Sequence, residues 1–314
     1  MNIVTLTLNP ALDVSTSVDR VVSGIKLRCA EPRYDPGGGG INVARTICEL
    51  GGTALAVYPG GGPAGARIGQ LLAGEGVPQQ QVEIAGETRQ SVAVTDRGDG
   101  DQYRFLLPGP RLSKREWRAC ADAALEPLED GGWLVLSGSL PAGVPDGLFA
   151  ALASRVRGRA RVVVDTSGRA LEAALAERVD VLNPNWRELE EVSRGLTEER
   201  FAAELIDRQR AEAVIVTLGA RGARLTTADG QLVVPAPRVE TVSAVGGGDC
   251  FTAALTLALA RGEGYLDACR AGVAAAAAAM LTPGTALCRR GDFERLLPTV
   301  TARRPPSEAE PAGL

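Results

Sequence analysis

The sequence predicts an α/β protein built on a doubly wound, mostly parallel sheet that is flanked by helices. Three observations support this fold class. Apolar segments rich in β-branched residues recur along the chain, helical patterns lie between them, and two regions of short alternating segments interrupt the pattern. Strands that alternate with helices in this way are typical of layered α/β folds.

The predicted strands of the main sheet are apolar almost without interruption. Continuous apolar runs are typical of strands that are covered on both faces, as in a parallel sheet. The six runs span residues 3–8, 54–58, 133–137, 161–165, 179–182 and 213–218.

The predicted helices differ in how much of their surface is apolar. One helix has a single apolar face, formed by Ile41, Ala44, Ile47 and Cys48. The glycine pair at 51–52 ends this helix. The segment 253–260 is apolar on most sides, which predicts a central helix.

Two regions, residues 14–34 and 87–107, contain short alternating segments instead of long apolar runs. In the second region, Asp99-Gly100 has the composition of a hairpin turn. We expect a small inserted antiparallel β lid that covers a cleft or pairs with a second subunit, because such a sheet cannot bury both faces alone. Residues 1–300 then form one domain, and residues 301–314 are predicted to be a mobile tail.

The composition of the 314 residues excludes several classes of protein. A formal net charge of −4 argues against general nucleic-acid binding. The six cysteines form no C-x-x-C pair and the chain has no histidine, so a structural zinc site is not expected. The N-terminus lacks a basic leader and the apolar runs are too short to span a bilayer, which predicts a cytoplasmic protein with reduced thiols and no membrane contact.

The segment VGGGDC at residues 245–250 places three glycines and an acid at the start of an apolar helix. The backbone N–H groups of Gly246, Gly247 and Gly248 can hold an anion such as the terminal phosphate of a nucleotide. Asp249 can then accept a proton from an attacking hydroxyl group. The alternative is purely structural, since glycine runs are common in turns and aspartate is common at helix N-termini.

Two further glycine-rich segments precede predicted helices. DPGGGGINVAR at residues 35–45 carries Asn42, and it forms either a simple turn or a close approach of the backbone to a ligand. GGGPAG, from Gly60 to Gly65, fits G-x-G-x-x-G and follows a strand, and Glu83 lies near the spacing of a ribose-binding acid. An NAD-dependent oxidoreductase is therefore an alternative from a different functional class.

Two of these glycine elements resemble motifs of the ribokinase-type (PfkB) carbohydrate kinases. The element at residues 35–45 resembles G-G-x-x-x-N-x-A, and the element at residues 245–250 resembles G-x-G-D. The resemblance runs nearly from end to end and is greatest to the minor-type bacterial 6-phosphofructokinases. It is carried by TLTLNPALD, PGGGGINVAR, SGSLPAGV, NPNWREL, TLGARGA and VGGGDC. The resemblance implies a ribokinase-like fold, ATP and Mg²⁺ as cofactors and K⁺ as an activating cation. The small lid sheet, which can pair with a second subunit, predicts a homodimer.

The resemblance also implies a reaction, the transfer of the γ-phosphoryl group of ATP to the C1 hydroxyl of fructose 6-phosphate. Asp249 would be the base, and the glycine N–H groups would form the anion hole. The residues implied to bind the sugar phosphate are Asp13, Lys26, Arg28, Gly38, Gly39, Asn42, Arg89, Arg104 and Ser139. Alternatives are tagatose 6-phosphate or fructose 1-phosphate as the acceptor, and a non-catalytic sugar-phosphate sensor.

The resemblance assigns a second set of residues to the nucleotide and to cations. Those implied to bind the nucleotide are Asn183, Asn185, Thr217, Gly219, Gly222 and Gly284. Glu188 and Asp165 would hold Mg²⁺, directly or through water, and the carbonyl groups near Ser243 and Val245 would hold a monovalent cation. The chain departs from the family pattern at Asn183, Ala244 and Cys250, and these departures motivate the sensor alternative.

Overall fold

The computed structural model describes residues 2–243, 246–283 and 286–304. The strands in these ranges are β1 (Ile3–Leu6), β2 (Ala11–Val18), β3 (Arg33–Gly37), β4 (Leu55–Gly60), β5 (Gln79–Glu83), β6 (Arg89–Asp96), β7 (Gln102–Leu106), β8 (Trp133–Ser137), β9 (Arg161–Asp165), β10 (Val179–Leu182), β11 (Ala211–Thr217), β12 (Ala223–Thr227) and β13 (Gly230–Val234). The helices are α1 (Gly39–Glu49), α2 (Gly62–Gly74), α3 (Lys114–Leu125), α4 (Leu148–Val156), α5 (Gly168–Ala174), α6 (Trp186–Val192), α7 (Glu198–Asp207), α8 (Gly247–Ala260), α9 (Tyr265–Ala279) and α10 (Arg290–Leu296).

Nine of the described strands form one sheet in the order β13-β12-β11-β10-β9-β8-β1-β4-β5. Every neighbouring pair from β11 to β5 is parallel, and β12 and β13 are antiparallel additions at one edge. The predicted fold class is therefore confirmed, and the six predicted strands lie in the parallel part. The sequence did not predict β5, because its run QQQVE at the opposite edge carries almost no apolar signal.

The two faces of the main sheet carry separate hydrophobic cores. Helices α1, α8 and α9 pack on one face, and α3, α4 and α7 pack on the other. Helix α8 is buried along nearly its whole length, as its apolar sequence predicts. Alanines of α9 fill the contact with α8, since small side chains let two helix backbones approach closely.

The order of the strands determines where a ligand can bind. The chain adds β4 and β5 on one side of β1 and then returns to add β8 to β11 on the other side. Such a reversal leaves a crevice at the carboxyl ends of the parallel strands, where ligands bind in open α/β sheets. The segments that follow β1, β8, β9, β10 and β11 all meet at this edge.

The predicted small sheet is present, with the strand order β3-β2-β6-β7. Its outer pairs, β2 with β3 and β6 with β7, are antiparallel as expected, and Gly100 has the positive φ of 83° that the turn after β6 requires. The central pair, β2 with β6, is parallel over Ala11–Val18. The sequence did not predict this pairing, because the two strands come from distant parts of the chain.

The first residues of the predicted tail contact the main sheet. Arg303 pairs with Val233 of β13 through two backbone hydrogen bonds of 2.8 Å, and the mobility of residues 301–314 stays a prediction. Residues 305–314 lie outside the described ranges. Among the described residues, no helix has the length and apolar character needed to cross a membrane.

Candidate active site

Helix α8 begins at the crevice with the predicted glycine-acid element. Gly246 is its N-cap residue, in a left-handed conformation with a φ of 78°, and the first helical hydrogen bond runs from the Cys250 N–H to the Gly246 carbonyl at 2.9 Å. A Cβ atom at Gly247 would lie 2.8 Å from Cε of Met280, whereas one at Gly248 would meet no atom of the described residues within 4 Å. The helix N-terminus therefore has open space beside Gly248, where an anion can approach the backbone.

Asp249 lies in the first turn of α8 and is half-buried. Its Oδ2 atom accepts a hydrogen bond of 2.8 Å from Nδ2 of Asn42 in α1. Desolvation raises the pKa of Asp249 to about 6, although the Asn42 hydrogen bond and the charge of Arg104 act in the opposite direction. A carboxylate with this pKa is mostly ionised at neutral pH and is a stronger base than an exposed aspartate.

A second carboxylate, Asp13 of β2, faces the same space from the lid. Desolvation raises its pKa to about 6, the positive charges of Arg89 and Arg104 oppose this shift, and the negative charge of Asp249 adds to it. Arg89 donates hydrogen bonds to the carbonyl groups of Asn9 at 3.1 Å and Leu107 at 3.3 Å. The lid thus brings two arginines and one aspartate towards Asp249.

The glycine run from residue 37 to residue 40 is explained by close packing. A Cβ atom at Gly37 would overlap the carboxylate of Asp13, and one at Gly39 would overlap the hydroxyl group of Ser137. Gly38 has a φ of 115°, which favours glycine. These glycines let the N-terminus of α1 approach the ends of β1 and β8, and this approach places Asn42 beside Asp249. The structure thus gives Gly38 and Gly39 a packing role that the resemblance did not imply.

Asp165 at the end of β9 belongs to a polar network with α8. Its Oδ2 atom accepts hydrogen bonds from the hydroxyl groups of Thr252 at 2.8 Å and Ser137 at 3.4 Å. Thr252 also accepts a hydrogen bond of 2.8 Å from Nδ2 of Asn183. Desolvation raises the pKa of Asp165 to about 8, and the negative charges of Asp249 and Glu188 contribute to this increase. Three carboxylates thus lie close enough to influence one another.

Asn185 and Glu188 form a capping box at the start of α6. The Asn185 side chain accepts hydrogen bonds from the N–H groups of Arg187 and Glu188 at 3.0 Å, and Oε2 of Glu188 accepts one from the Asn185 N–H at 2.9 Å. Desolvation raises the pKa of Glu188. Asn185 also forms a parallel bridge with Thr217 at the end of β11, so the predicted nucleotide residues are neighbours at the edge of the sheet.

The remaining predicted residues occupy different environments. Lys26 and Arg28 lie exposed in the connection between β2 and β3. The hydroxyl group of Ser139 accepts a hydrogen bond of 3.0 Å from Nδ2 of Asn9. Gly219 has open space around it, whereas a Cβ atom at Gly222 would overlap the backbone of β13, so Gly222 is required for packing.

The predicted monovalent-cation loop is only partly described. The Ser243 N–H donates a hydrogen bond of 3.4 Å to the carbonyl group of Met280. Val245 and Gly284 lie outside the described residues.

Sequence reasoning missed three residues near the crevice. Asn9 and Thr252 make the hydrogen bonds described above, and Arg45 contacts Asn42 from the next turn of α1. Arg45 had a usable signal, since it follows Asn42 by three residues on a predicted helix and therefore lies on the same face. Thr252 had a similar signal, three residues after Asp249, but its partner Asp165 is 87 positions away.

Three of the six buried side-chain polar atoms that lack a partner among the described residues belong to this crevice. Among the described residues, such atoms include Oδ1 of Asn9, Nε of Arg89 and Oδ1 of Asn183. A buried polar atom without a hydrogen bond is costly, so bound ligands or water would stabilise these groups. Asp165 and Glu188 would likewise be stabilised by a cation, and oxygen donors of this type suit Mg²⁺ with several of its waters retained. The residues therefore fit a nucleotide and Mg²⁺.

The oxidoreductase alternative fails on the geometry of its glycine motif. The N–H group of Gly61 donates to the hydroxyl group of Thr88 at 3.0 Å, and the Thr88 N–H donates to the Gly61 carbonyl at 3.0 Å. A Cβ atom at Gly61 would overlap the carbonyl oxygen of Gly86. The chain itself thus covers the N-terminus of α2, which leaves no room for the pyrophosphate of a dinucleotide.

Comparisons with known proteins identify this combination of fold and site. The model of the pfkB family of carbohydrate kinases matches residues 7–290. The ATP-dependent 6-phosphofructokinase isozyme 2 of Mycobacterium tuberculosis is 45% identical over 299 residues, which cover 93% of this chain and 88% of the relative. The enzyme of the same name from Escherichia coli is 41% identical over 303 residues, which cover 94% of this chain and 98% of the relative.

Solved structures agree with the sequence relatives. Phosphofructokinase-2 from Escherichia coli in complex with substrates and products has a TM-score of 0.90 at 39% identity and covers 95% of this chain and 99% of its own. The same enzyme in complex with potassium also has a TM-score of 0.90, at 40% identity, with 95% and 98% coverage. The family match spans most of the chain and includes both glycine elements of the crevice. This chain belongs to the pfkB family of carbohydrate kinases.

Proposed function

We propose that this protein is an ATP-dependent 6-phosphofructokinase that converts fructose 6-phosphate to fructose 1,6-bisphosphate. The observation that carries this proposal is the position of Asp249. It is a half-buried carboxylate with a pKa of about 6, located beside an N-terminal helical turn that has open space at Gly248. Both relatives described above are ATP-dependent 6-phosphofructokinases, which supports the choice of acceptor.

In the proposed reaction, Asp249 accepts the proton of the C1 hydroxyl group as that oxygen attacks the γ-phosphorus. The bond from the γ-phosphorus to the oxygen that bridges it to the β-phosphate breaks, and ADP leaves. The N–H groups at the start of α8, from Gly246 to Gly248, stabilise the negative charge on the group in transfer. Asn42 holds the carboxylate of Asp249 in place through its 2.8 Å hydrogen bond. Most of the rate acceleration comes from positioning and electrostatics, and the base contributes roughly 10²- to 10⁴-fold.

The lid supplies the groups for the sugar phosphate. Asp13 accepts hydrogen bonds from sugar hydroxyl groups, while Arg89 and Arg104 pair with the phosphate dianion. Lys26, Arg28 and Ser139 complete the proposed set, and the backbone at Gly38 and Gly39 lines the sugar. Asn9 joins this set because its buried Oδ1 atom faces no protein donor among the described residues.

The nucleotide lies against the ends of β10 and β11 in this proposal. Asn183, Asn185, Thr217 and Gly219 line its site, with Gly222 as a packing residue behind them. When bound, Mg²⁺ would neutralise charge on the phosphates, and Asp165 and Glu188 would hold it directly or through water. We further propose a K⁺ site formed by Ser243, Val245 and Gly284, since a relative has been solved in complex with potassium.

A direct test is ADP release by the purified protein with MgATP and a panel of acceptors. We expect fructose 6-phosphate to give the highest kcat/KM and K⁺ to increase the rate. A higher kcat/KM with fructose 1-phosphate or tagatose 6-phosphate would replace the proposed acceptor. No ADP release with any acceptor, together with measurable fructose 6-phosphate binding, would instead identify a non-catalytic sensor.

We also propose that the protein forms a homodimer through the lid. On the face of the small sheet opposite to Asp13, strand register aligns Tyr34, Val14, Val92 and Phe105 in one row. Tyr34 and Phe105 are 40% and 55% exposed, which is unusual for large apolar side chains. Light scattering should give twice the monomer mass, and Phe105→Asp should give the monomer. A wild-type monomer would refute the proposal.

The proposed location is the cytoplasm. All six cysteines are free thiols in the structure, and four of them are buried. Unpaired thiols are typical of proteins from reducing compartments.

A further inference from the structure

Asn42 must present a particular end of its amide group to Asp249. Nδ2 can donate a hydrogen bond to the carboxylate, whereas Oδ1 in the same place would repel it. We propose that Arg45, held in place by Glu75, is a positioning residue that fixes this orientation of the Asn42 amide. The proposal rests on the function proposed above, in which Asp249 is the base.

The contacts of Arg45 define the orientation of Asn42. Arg45 lies one turn after Asn42 in α1, and its Nη1 atom donates to Oδ1 of Asn42 at 3.4 Å and to the carbonyl group of Pro36 at 3.0 Å. With Oδ1 accepting from the guanidinium group, Nδ2 is directed to Asp249 at 2.8 Å. A reversed amide would place two donors against each other on one side and two acceptors on the other, so it is disfavoured at both ends.

Glu75 fixes the guanidinium group itself. Its two carboxylate oxygens accept hydrogen bonds of 2.6 and 2.7 Å from Nε and Nη2 of Arg45. This bidentate pair fixes the plane of the guanidinium group. The Arg45 side chain is only 8% exposed, so its charge needs a partner. Asp35, with Oδ1 at 3.8 Å, adds to this compensation. Glu75 is the C-cap residue of α2, a helix outside the crevice. The end of this helix is therefore linked to Asp249 through Arg45 and Asn42.

The orientation matters because Asp249 lies among several other ionisable groups. The hydrogen bond from Asn42 is the larger of the two influences that oppose desolvation and lower the pKa of Asp249. The charged or titratable groups that face it from neighbouring elements are Arg104 in β7, Asp13 in β2 and Asp165 in β9, and Cys250 is its neighbour within α8. Loss of the oriented amide would leave mainly Arg104 against this acidic set, so Asp249 would ionise at higher pH.

The Arg45–Glu75 pair is accessible from outside the crevice. Both residues line a cavity of about 770 Å³ that also borders Cys48, Val77 and Arg289. The side chain of Glu75 is 39% exposed, so a small solute can reach its carboxylate. If Arg45 is shortened to alanine, free guanidinium can occupy the vacated position and donate to both Glu75 and Asn42. Methylammonium carries the same charge but lacks the planar set of donors.

The experiment compares Arg45→Ala and Glu75→Gln with the wild type in the ADP-release assay. We expect kcat/KM with fructose 6-phosphate to fall roughly 10- to 100-fold in Arg45→Ala, the range expected when a hydrogen bond to a charged group is lost. In both variants, the acidic limb of the plot of kcat/KM against pH should move to higher pH than in the wild type. Millimolar guanidinium should restore part of the activity of Arg45→Ala, and methylammonium at equal ionic strength should not.

The matched control is Arg224→Ala. Arg224 in β12 is 11% exposed and pairs with Glu199 at 2.6 Å, so its removal also disrupts a shielded ion pair. We expect this variant to lose stability but to keep the wild-type pH profile and to show no guanidinium response. If Arg45→Ala behaves like this control, the positioning role is refuted.

Two outcomes separate this inference from the proposed function. A wild-type protein that releases no ADP with any acceptor refutes the function and the inference with it. An active wild type with an unchanged acidic limb in both Arg45→Ala and Glu75→Gln refutes the inference alone. If Arg45→Ala does not fold, the pH profile of Glu75→Gln tests the inference instead. This substitution keeps the shape of Glu75 and weakens only its hydrogen bonds to the guanidinium group of Arg45.

Discussion

Replacement of Asp249 by asparagine should lower activity and raise stability at the same time. The side chain is half-buried, and desolvation raises its pKa from 3.8 to about 6 in the folded protein. Because the folded-state pKa is the higher one, the ionised carboxylate opposes folding. The resulting loss in the free energy of unfolding is absent below pH 4, grows between pH 4 and pH 6, and is complete above pH 6.

The size of the effect follows from the two pKa values. Each pKa unit corresponds to about 1.4 kcal/mol, so the ionised form costs at most about 3 kcal/mol at pH 7 to 8 and roughly half of this at pH 5. Asn42 can still donate to the new amide oxygen in Asp249→Asn, so the hydrogen bond of 2.8 Å can be kept. The base is lost, however, and turnover should fall roughly 10²- to 10⁴-fold.

The assays are urea unfolding at pH 5 and pH 8 and ADP release at pH 8. Asp122→Asn, which changes an exposed carboxylate on α3, is the matched control and should alter neither property. A stability gain that is equal at both pH values would show that the gain does not come from ionisation. Wild-type turnover in Asp249→Asn would refute the assignment of the base.

Four further predictions concern other parts of the crevice. Asp165→Asn should raise the Mg²⁺ concentration for half-maximal ADP release several-fold with an unchanged circular dichroism spectrum, and an unchanged Mg²⁺ dependence would contradict a role in holding the metal. Gly248→Ala should fold normally but raise the KM for ATP, because its Cβ atom enters only the open space. Gly39→Ala should instead lower the free energy of unfolding by about 1–3 kcal/mol in urea titrations, since its Cβ atom overlaps a neighbouring hydroxyl group; equal stability of the two alanine variants would argue against this packing. Thr252→Val should cost about 1–3 kcal/mol, because a buried amide and a carboxylate lose their shared partner, and wild-type unfolding would contradict that network.

The strands and the helix starts were predictable because their signals are local. Apolar runs predicted every strand of the parallel sheet except β5, whose polar sequence QQQVE contains no such run. The VGGGDC segment likewise predicted a helix N-terminus with Asp249 in its first turn, and the structure has this arrangement. Each of these features depends on residues that are adjacent in the chain.

The partners of these residues were not predictable in the same way. The glycines before Asn42 suggested a ligand contact, which stays a prediction, and only the structure shows that Gly37 and Gly39 are also needed for close packing against Asp13 and Ser137. The parallel pairing of β2 with β6 joins segments more than 70 positions apart. No periodicity in the sequence records such long-range pairings.

The sequence by itself determined the layered α/β class and the two glycine elements, and it placed the carboxylate of Asp249, which we propose as the base, at the start of a helix. The tertiary structure alone decided the environment of that carboxylate. Asn42 lies 207 positions away from Asp249, and Glu75 supports it through Arg45 from another helix. The pKa of a carboxylate depends on the solvent and charges within a few ångströms of it, and only the folded chain brings those groups together.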